Sequence, residues 1–143
     1  MTEIAFHFNV PDRVGYACRL LRKATGSGAK VVLIAPVDEL AQLDLALWTF
    51  SATEFVPHCV LEVGGSLLSK SAVVLTSSLK DSPVLDVLVN LSPVVPPGFD
   101  QFKRVIEVVT VDDVDRKQSR QRWKYYADAG YGITRHDIQR IMS

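Results

Sequence analysis

Apolar and polar residues alternate along the chain in a pattern that predicts strands separated by helices. Residues 4–8 alternate as a strand does, and Pro11 and Asp12 then give the N-terminal signal of a helix that extends to about Ala24. Residues 30–35 form a continuous apolar run between turn residues, which is typical of a strand buried inside a parallel sheet. The beginning of the chain therefore predicts a β-α-β unit.

The rest of the chain repeats this alternation. A second helix is predicted over residues 38–47, and further apolar strands are predicted over residues 72–76 and 84–91. The later predicted elements are a helix from Phe99 with its apolar face at Phe102, Val105 and Ile106, a short strand over residues 108–111, a helix over residues 114–129 that stops at Gly130, and a short final helix over residues 136–142. We therefore expect an α/β fold, namely a single Rossmann-like domain over residues 1–143 with a mostly parallel sheet flanked by helices. The order of the strands stays open.

Length and composition narrow the class of protein. The chain has 143 residues, of which 48% are hydrophobic, and this is enough to bury the core of one domain. It has no apolar run of the roughly 18 residues that a membrane helix needs, and it starts with a strand pattern instead of a secretion signal. We therefore expect a cytoplasmic protein without membrane contact. Cys18 and Cys59 lie far apart in apolar surroundings, which favours two buried thiols over a disulfide.

Basic and acidic residues are equal in number, but they are distributed unevenly along the chain. The formal net charge is zero, from 16 basic and 16 acidic residues, which argues against a large phosphate-neutralising surface. Between residues 116 and 140 there is nevertheless a local excess of five positive charges. Such a segment is able to attract nucleic acid or an acidic peptide, and the alternative is an ordinary solvated helix face.

The usual phosphate-binding and metal-binding motifs are missing from the sequence. Neither GxGxxG nor GxxxxGK[ST] occurs, and the Gly26–Gly28 segment is better interpreted as the C-terminal turn of a helix. His7, His58 and His136 are isolated from one another in sequence, so metal chemistry is not expected. An unusual His58–Cys59 ligand pair is less favoured than a locally hydrogen-bonded histidine.

A cluster of acidic residues lies ahead of the C-terminal helix, at Asp112, Asp113 and Asp115. Such residues typically cap a helix N-terminus, whereas nuclease chemistry with two metals needs acidic residues from several elements. We therefore expect a protein that is not an enzyme and has no cofactor.

The C-terminal helix carries a candidate binding surface. Arg116, Arg120, Trp123 and Ala127 follow the spacing i, i+4, i+7, i+11 and should form one stripe that joins positive charge to an aromatic wall. Such a stripe suits a peptide that ends in an apolar side chain with a free carboxylate, because guanidinium groups form paired hydrogen bonds with carboxylates. The alternative is that Trp123 packs the helix onto the sheet and the arginines only flank it.

A second candidate surface follows the second predicted helix. Trp48, Phe50 and Phe55 lie within eight residues and are followed by Pro57. Clustered aromatic residues on a loop often mark a site where a partner protein docks. The alternative is that they fill the core.

Four segments carry a resemblance to a known family. They are LDLALWTFSATEFVPH at residues 43–58, RKQSRQRWKYYADAGYGITRHD at residues 116–137, the opening IAFHFNVPDRVGYACRLLRKA and the central FDQFKRVIEVV. In this order and spacing they resemble the chi subunit of bacterial DNA polymerase III, over nearly the whole chain. The motifs LDxALWTFxxxxFVPH and RxRWKYYxDAGY are the specific part of the resemblance.

The resemblance implies a function. A chi-like protein would be a non-catalytic accessory subunit that connects the clamp-loader assembly, through a psi-like subunit, to the acidic C-terminal tail of single-stranded-DNA-binding protein, and would contact nucleic acid mainly indirectly. In some relatives a helicase competes for the psi surface. The residues at positions that match the tail-binding site are Arg116, Arg120 and Trp123, with Val109 as a further wall. The residues that match the psi-binding segment are Trp48, Phe55 and Pro57.

Two other functions stay open at this point. One is a stand-alone domain that binds single-stranded nucleic acid, with Trp123, Tyr125 and Tyr126 as stacking groups over the basic segment. The other is a nucleotide-dependent enzyme of Rossmann type. The zero net charge argues against the first, and the missing phosphate loop argues against the second.

Overall fold

The computed structural model describes residues 2–49, 58–60, 73–79 and 86–138. In chain order the elements are β1 (Glu3–Val10), α1 (Arg13–Gly26), β2 (Val31–Ile34), α2 (Val37–Thr49), β3 (His58–Val60), β4 (Val73–Thr76), β5 (Val87–Asn90), a 3₁₀ turn (Phe99–Gln101), β6 (Arg104–Thr110), α3 (Asp113–Asp128) and β7 (Ile133–Asp137). None of the helices within these ranges is long and apolar enough to cross a membrane.

The described strands form one sheet in the order β3-β4-β2-β5-β6-β1-β7. Every pair of neighbouring strands is parallel, so the predicted α/β fold with a parallel sheet is confirmed. All four residues of β2 and all four of β4 are buried, because a parallel sheet is covered on both faces. Strand β1 lies between β6 and β7, and α3 connects β6 to β7. The connection through α3 therefore crosses over β1.

The sheet separates two apolar cores. On one face, Leu21 of α1 and Leu43 of α2 pack with Val31, Leu33 and other residues of the strands. On the opposite face, the core contains Ile4 and Phe6 of β1, Val105 and Val109 of β6, and Tyr126 of α3. The second core holds α3 against β1 and β6, and it forms the floor of the candidate site.

Several local predictions from the sequence are confirmed. Gly130 has a φ of 87° and ends α3 as a left-handed residue. The Asp112 side chain accepts a hydrogen bond from the Asp115 amide at 3.1 Å, so the acidic cluster caps α3 as expected. Cys18 is a free, fully buried thiol, and burial raises its pKa to about 11.

The helix predicted from Phe99 is wrong. Only a three-residue 3₁₀ turn forms there, and Val105 and Ile106 belong to β6. The same strand contains residues 108–110 of the strand predicted over residues 108–111. The apolar residues of β6 face both cores in alternation: Val105 and Val109 face α3, whereas Ile106 and Val108 face α1. Burial on both faces produces a continuous apolar run, which in a short segment is ambiguous between helix and strand.

The final helix predicted from His136 is also wrong at its start. Residues 133–137 form β7, an edge strand that pairs with β1, and residues 139–143 lie outside the described residues. All five residues of β7 are exposed or half-buried, so the strand has no apolar pattern of its own. The short strand β3 was not predicted either.

Candidate functional site

A candidate site among the described residues is a cavity of about 530 Å³ between α3 and the strands β1, β6 and β7. Its lining residues are Phe6, Phe8 and Asn9 from β1, Val109 from β6, Arg135 from β7, and Arg116, Ser119, Arg120 and Trp123 from α3. The structure therefore brings together the four residues that the sequence indicated for tail binding, namely Val109, Arg116, Arg120 and Trp123.

The floor of the cavity is aromatic because of the alternation of β1. Phe6 and Phe8 lie on the same face of the strand, which is the face that α3 covers. The ring centroids of Phe6 and Trp123 are 5.0 Å apart. Trp123 thus packs the helix onto the sheet and also lines the cavity. Its role in binding a peptide stays a prediction.

One wall of the cavity is built by an unusual residue of β1. Asn9 is the one non-glycine residue with a positive φ, 59°, within the described ranges, and the pairing of β1 with β6 shifts register between His7 and Val10. This bulge places the Asn9 amide where its Oδ1 accepts a hydrogen bond from Arg116 Nη2 at 2.8 Å and its Nδ2 donates to Asp137 Oδ1 at 3.2 Å. Left-handed backbone at a non-glycine residue is often found at functional sites. Here it connects β1 to both α3 and β7.

The cavity has a third arginine that the sequence did not indicate as a site residue. Arg135 of β7 lines the cavity, and its guanidinium carbon lies 5.2 Å from the ring centroid of Phe8 and 5.8 Å from that of Trp123. From the sequence, Arg135 was counted only as part of a basic segment, because no strand was predicted over residues 133–137. In the part of the chain that the structure describes, no carboxylate forms an ion pair with Arg120 or Arg135.

A buried polar network lies behind the cavity. The Glu107 carboxylate of β6 is fully buried and accepts hydrogen bonds from Arg122 Nε at 2.8 Å, Tyr126 Oη at 2.6 Å and Asn90 Nδ2 at 2.8 Å. Arg122 also donates to the Pro93 carbonyl at 3.2 Å. Among the described residues, no fully buried side-chain polar atom of this network lacks a hydrogen-bond partner, which is the condition under which buried polar groups are tolerated.

Burial sets the protonation of this network. It raises the pKa of the Glu107 carboxyl, and the Arg122 guanidinium opposes this effect most strongly. Burial and the adjacent Glu107 carboxylate raise the pKa of Tyr126 far above its usual value, so that its hydroxyl keeps the proton that it donates. The 2.8 Å contact between Arg122 Nε and Glu107 Oε1 forms a buried ion pair that ties α3 to β6.

Two residues that were expected on the basic and aromatic surface of α3 are instead buried in this network. The Arg122 side chain is 2% exposed and is neutralised by Glu107, although it was counted in the positively charged segment. Tyr126 is fully buried, whereas Tyr125 is half exposed. Of the three proposed stacking groups for nucleic acid, Tyr126 is therefore unavailable.

The structure also brings together two histidines that are distant in sequence. His7 and His136 are direct neighbours across β1 and β7, with ring centroids 4.9 Å apart, and the Tyr16 hydroxyl hydrogen-bonds to His7 Nδ1. Burial and the adjacent His136 lower the pKa of His7 to about 4, so His7 is neutral at pH 7. Within the described ranges no group of three or more possible metal ligands is found.

The second candidate surface is largely outside the described residues. Trp48 belongs to the last turn of α2, and both Phe55 and Pro57 fall in the segment that is not described. The predicted contact between this surface and a psi-like subunit therefore stays a prediction.

A family model and two known proteins that are similar to this chain all indicate the same family. The family model for "DNA polymerase III chi subunit, HolC" matches residues 1–134. A DNA polymerase III subunit chi from Pseudomonas aeruginosa is 31% identical over 147 residues, which cover 99% of this chain and 100% of that protein. The corresponding subunit from Haemophilus influenzae is 27% identical over 125 residues, which cover 85% of each chain.

Among solved structures, the S. cerevisiae Dbp5 C-terminal domain, bound to Gle1, has a TM-score of 0.60 at 14% identity and covers 96% of this chain and 90% of that chain. At this identity the similarity concerns the fold alone. The match of the family model to residues 1–134 and the relative from Pseudomonas aeruginosa show that this chain belongs to the DNA polymerase III chi subunit family.

Proposed function

We propose that the chain is a non-catalytic accessory subunit of the replicative DNA polymerase III holoenzyme in the cytoplasm. It binds the acidic C-terminal tail of single-stranded-DNA-binding protein in the cavity between α3 and β1, and it binds a psi-like subunit of the clamp-loader complex through another surface. The chain then contacts nucleic acid mainly indirectly, through the bound single-stranded-DNA-binding protein. The observation that carries this proposal is one cavity that joins the apolar residues Val109 and Trp123 to the guanidinium of Arg120.

The apolar part of the cavity suits the last side chain of such a tail. Phe6, Val109 and Trp123 line it from three different elements, so an apolar side chain that enters is surrounded by apolar atoms. Burial of an apolar side chain is favourable by about 1.5–3 kcal/mol. This free energy favours peptides whose final residue is apolar over peptides whose final residue is polar.

The charged part of the cavity suits the terminal carboxylate. Arg120 has no carboxylate partner among the described residues, and one helical turn separates it from Trp123. A carboxylate next to the apolar side chain would accept two hydrogen bonds from its guanidinium. Arg116, one turn earlier and held by Asn9, lies where acidic residues further from the peptide's end would pass.

The acidic side chains near α3 support the non-catalytic part of the proposal. Asp112 caps the helix, and the Asp115 carboxylate accepts hydrogen bonds from the amide and hydroxyl of Thr110 at 2.8 Å and 2.9 Å. These two carboxylates are held by hydrogen bonds that stabilise the helix N-terminus.

Direct binding of single-stranded nucleic acid is the second candidate, and the buried network disfavours it. Because Arg122 is paired and Tyr126 is in the core, α3 exposes fewer charges and rings than the sequence pattern indicated. A stacking surface for several bases needs successive exposed aromatic groups along a basic groove.

A pull-down from nuclease-treated lysate tests the proposed function. The chain should retain single-stranded-DNA-binding protein and the clamp-loader subunits after the nucleic acid is digested. Truncation of the tail of single-stranded-DNA-binding protein should abolish its retention and leave that of the clamp-loader subunits unchanged. Retention that depends on nucleic acid and ignores the tail would support the direct nucleic-acid binder instead.

The psi-binding segment gives a separate prediction. Replacement of Trp48 or Phe55 by Ala should weaken binding of a psi-like partner by about 2 kcal/mol, as at a central interface residue, with the fold retained. Val37→Ala is the control, since Val37 is an apolar residue of α2 that is 70% exposed, and it should bind normally. Calorimetric titration measures the affinity, and a collapse of the thermal melt in Trp48→Ala and Phe55→Ala would identify these residues as core.

The bulge at Asn9 gives a prediction about the tail site. Asn9→Gly should weaken binding of the tail peptide about threefold, because Arg116 loses one hydrogen bond that holds its guanidinium at the cavity. Asn9→Ala should weaken binding equally and also lower the free energy of unfolding by about 1 kcal/mol, because Ala is strained at a positive φ whereas Gly is not. Peptide anisotropy and urea unfolding measure the two effects. Unchanged affinity in both variants would show that Asn9 does not position Arg116.

A further inference from the structure

Arg135 lies on the edge strand β7 and faces the cavity from the sheet. Its register partner in β1 is Phe6, and residues paired in this way point to the same face of a sheet. Phe6 belongs to the core that α3 covers. The edge strand therefore delivers the Arg135 side chain to the side of the cavity opposite the helix.

Two aromatic rings hold the Arg135 guanidinium. It lies within 6 Å of the ring centroids of both Phe8 and Trp123, which is the range of cation-π attraction. A guanidinium that stacks on rings through its flat face keeps its N–H donors at the edge of the plane, where a carboxylate accepts two of them. The stacking thus leaves the N–H donors of Arg135 free to bind an anion next to Trp123.

Arg120 and Arg135 place two positive charges in one cavity. Both residues line it, and no carboxylate among the described residues pairs with either of them. Two unneutralised like charges raise the local positive potential, and an anionic occupant relieves it. Arg116 differs from this pair because Asn9 already accepts a hydrogen bond from it.

We propose that Arg135 is a further ligand-binding residue, and that it holds the terminal carboxylate of the peptide together with Arg120. This inference rests on the proposed function of the cavity and specifies how the peptide lies in it. The carboxylate is bound between the helix and the edge strand, beside Trp123, instead of on the helix stripe alone. The upstream acidic residues of the peptide are left to Arg116.

The test measures a ratio of affinities, which separates carboxylate binding from packing. A fluorescent peptide with acidic residues and an apolar final residue is titrated as the free acid and as the C-terminal amide. In the unchanged chain the free acid should bind at least about tenfold more tightly. Arg135→Gln should reduce that preference to about threefold or less and leave the affinity for the amide within about twofold, because only the contact to the carboxylate is lost.

Two further variants control this experiment. Arg104→Gln removes the same charge at the opposite end of β6, where Arg104 pairs with Glu3 on an exposed surface, and should keep the full preference. Arg135→Lys keeps the charge and loses the planar pair of donors, so its preference should fall between those of the unchanged chain and Arg135→Gln.

The outcomes separate this inference from the proposed function. A full free-acid preference in Arg135→Gln would overturn the inference and leave the cavity's function standing. An equal loss of affinity for both peptides in Arg135→Gln would also overturn the inference, because it would show that Arg135 only supports the packing of the cavity. If the unchanged chain itself binds both peptides equally, the result would contradict both the carboxylate site and the role of Arg135 in it.

Discussion

Glu107→Leu is expected to lower the free energy of unfolding by about 3–5 kcal/mol, because it leaves the Arg122 charge buried without a partner. The Arg122 side chain is 2% exposed, and Glu107 accepts its Nε hydrogen bond. Tyr126 and Asn90 lose the same acceptor. Leu has a volume similar to that of Glu, so the loss reflects charge and hydrogen bonds and not a new cavity. Urea unfolding followed by circular dichroism measures it.

Two variants make the interpretation of this loss specific. Glu107→Leu combined with Arg122→Met should be more stable than Glu107→Leu alone, because no unpaired charge then remains in the core. Glu3→Gln breaks the exposed pair with Arg104 and should cost less than about 1 kcal/mol. A loss of less than about 1 kcal/mol in Glu107→Leu would contradict the buried ion pair.

Arg120→Ala is expected to remove most of the binding of the acidic tail peptide, with a loss of about 10- to 100-fold in affinity. The Arg120 side chain lines the cavity together with Trp123, where we propose that it binds the terminal carboxylate. Arg120 has no ion pair in the described part of the chain, so its removal should leave thermal stability nearly unchanged. Anisotropy titration with the labelled peptide measures the affinity.

Arg116→Ala is the matched control for this variant. It removes the same charge from the same helix one turn away, and it should mainly reduce the association rate and the salt dependence of binding. Two variants with equal losses at all salt concentrations would contradict the distinct roles of the two arginines. Normal binding by Arg120→Ala would return this residue to an ordinary position on a solvated helix.

The part of the site on α3 could be predicted from the sequence because helical periodicity is local. Arg116, Arg120 and Trp123 recur at the spacing of one helix face, and the structure places all three on the cavity. The β-α-β beginning was predictable for the same reason, since β2 is a continuous apolar run with all four residues buried. Patterns within one element need no knowledge of its neighbours.

The part of the site on the sheet could not be predicted in this way. Phe6, Phe8 and Arg135 reach the cavity only because β1 lies between β6 and β7 and α3 crosses over it. Strand β7 is held by its pairing with β1, and pairing uses backbone groups that every sequence shares. The strand order stayed open in the sequence, and the contribution of Arg135 was missed with it.

The buried network had a signal that was not used. Glu107 is the single acidic residue in the apolar run of β6, and a charged residue within such a run needs a partner when it is buried. Arg122 and Tyr126 are four residues apart and share a helix face, which is not the face of Arg116, Arg120 and Trp123. An acidic residue in a strand and an Arg-Tyr pair on the following helix together indicate a buried ion pair.

We propose that the cavity between α3 and β1 recognises a free peptide C-terminus. The most direct measurement titrates the unchanged chain with the acidic tail peptide as a free acid and as an amide, at a low and a high salt concentration. The free acid should bind at least about tenfold more tightly, and both affinities should fall as salt rises. Equal affinities for the two peptides at both salt concentrations would contradict it.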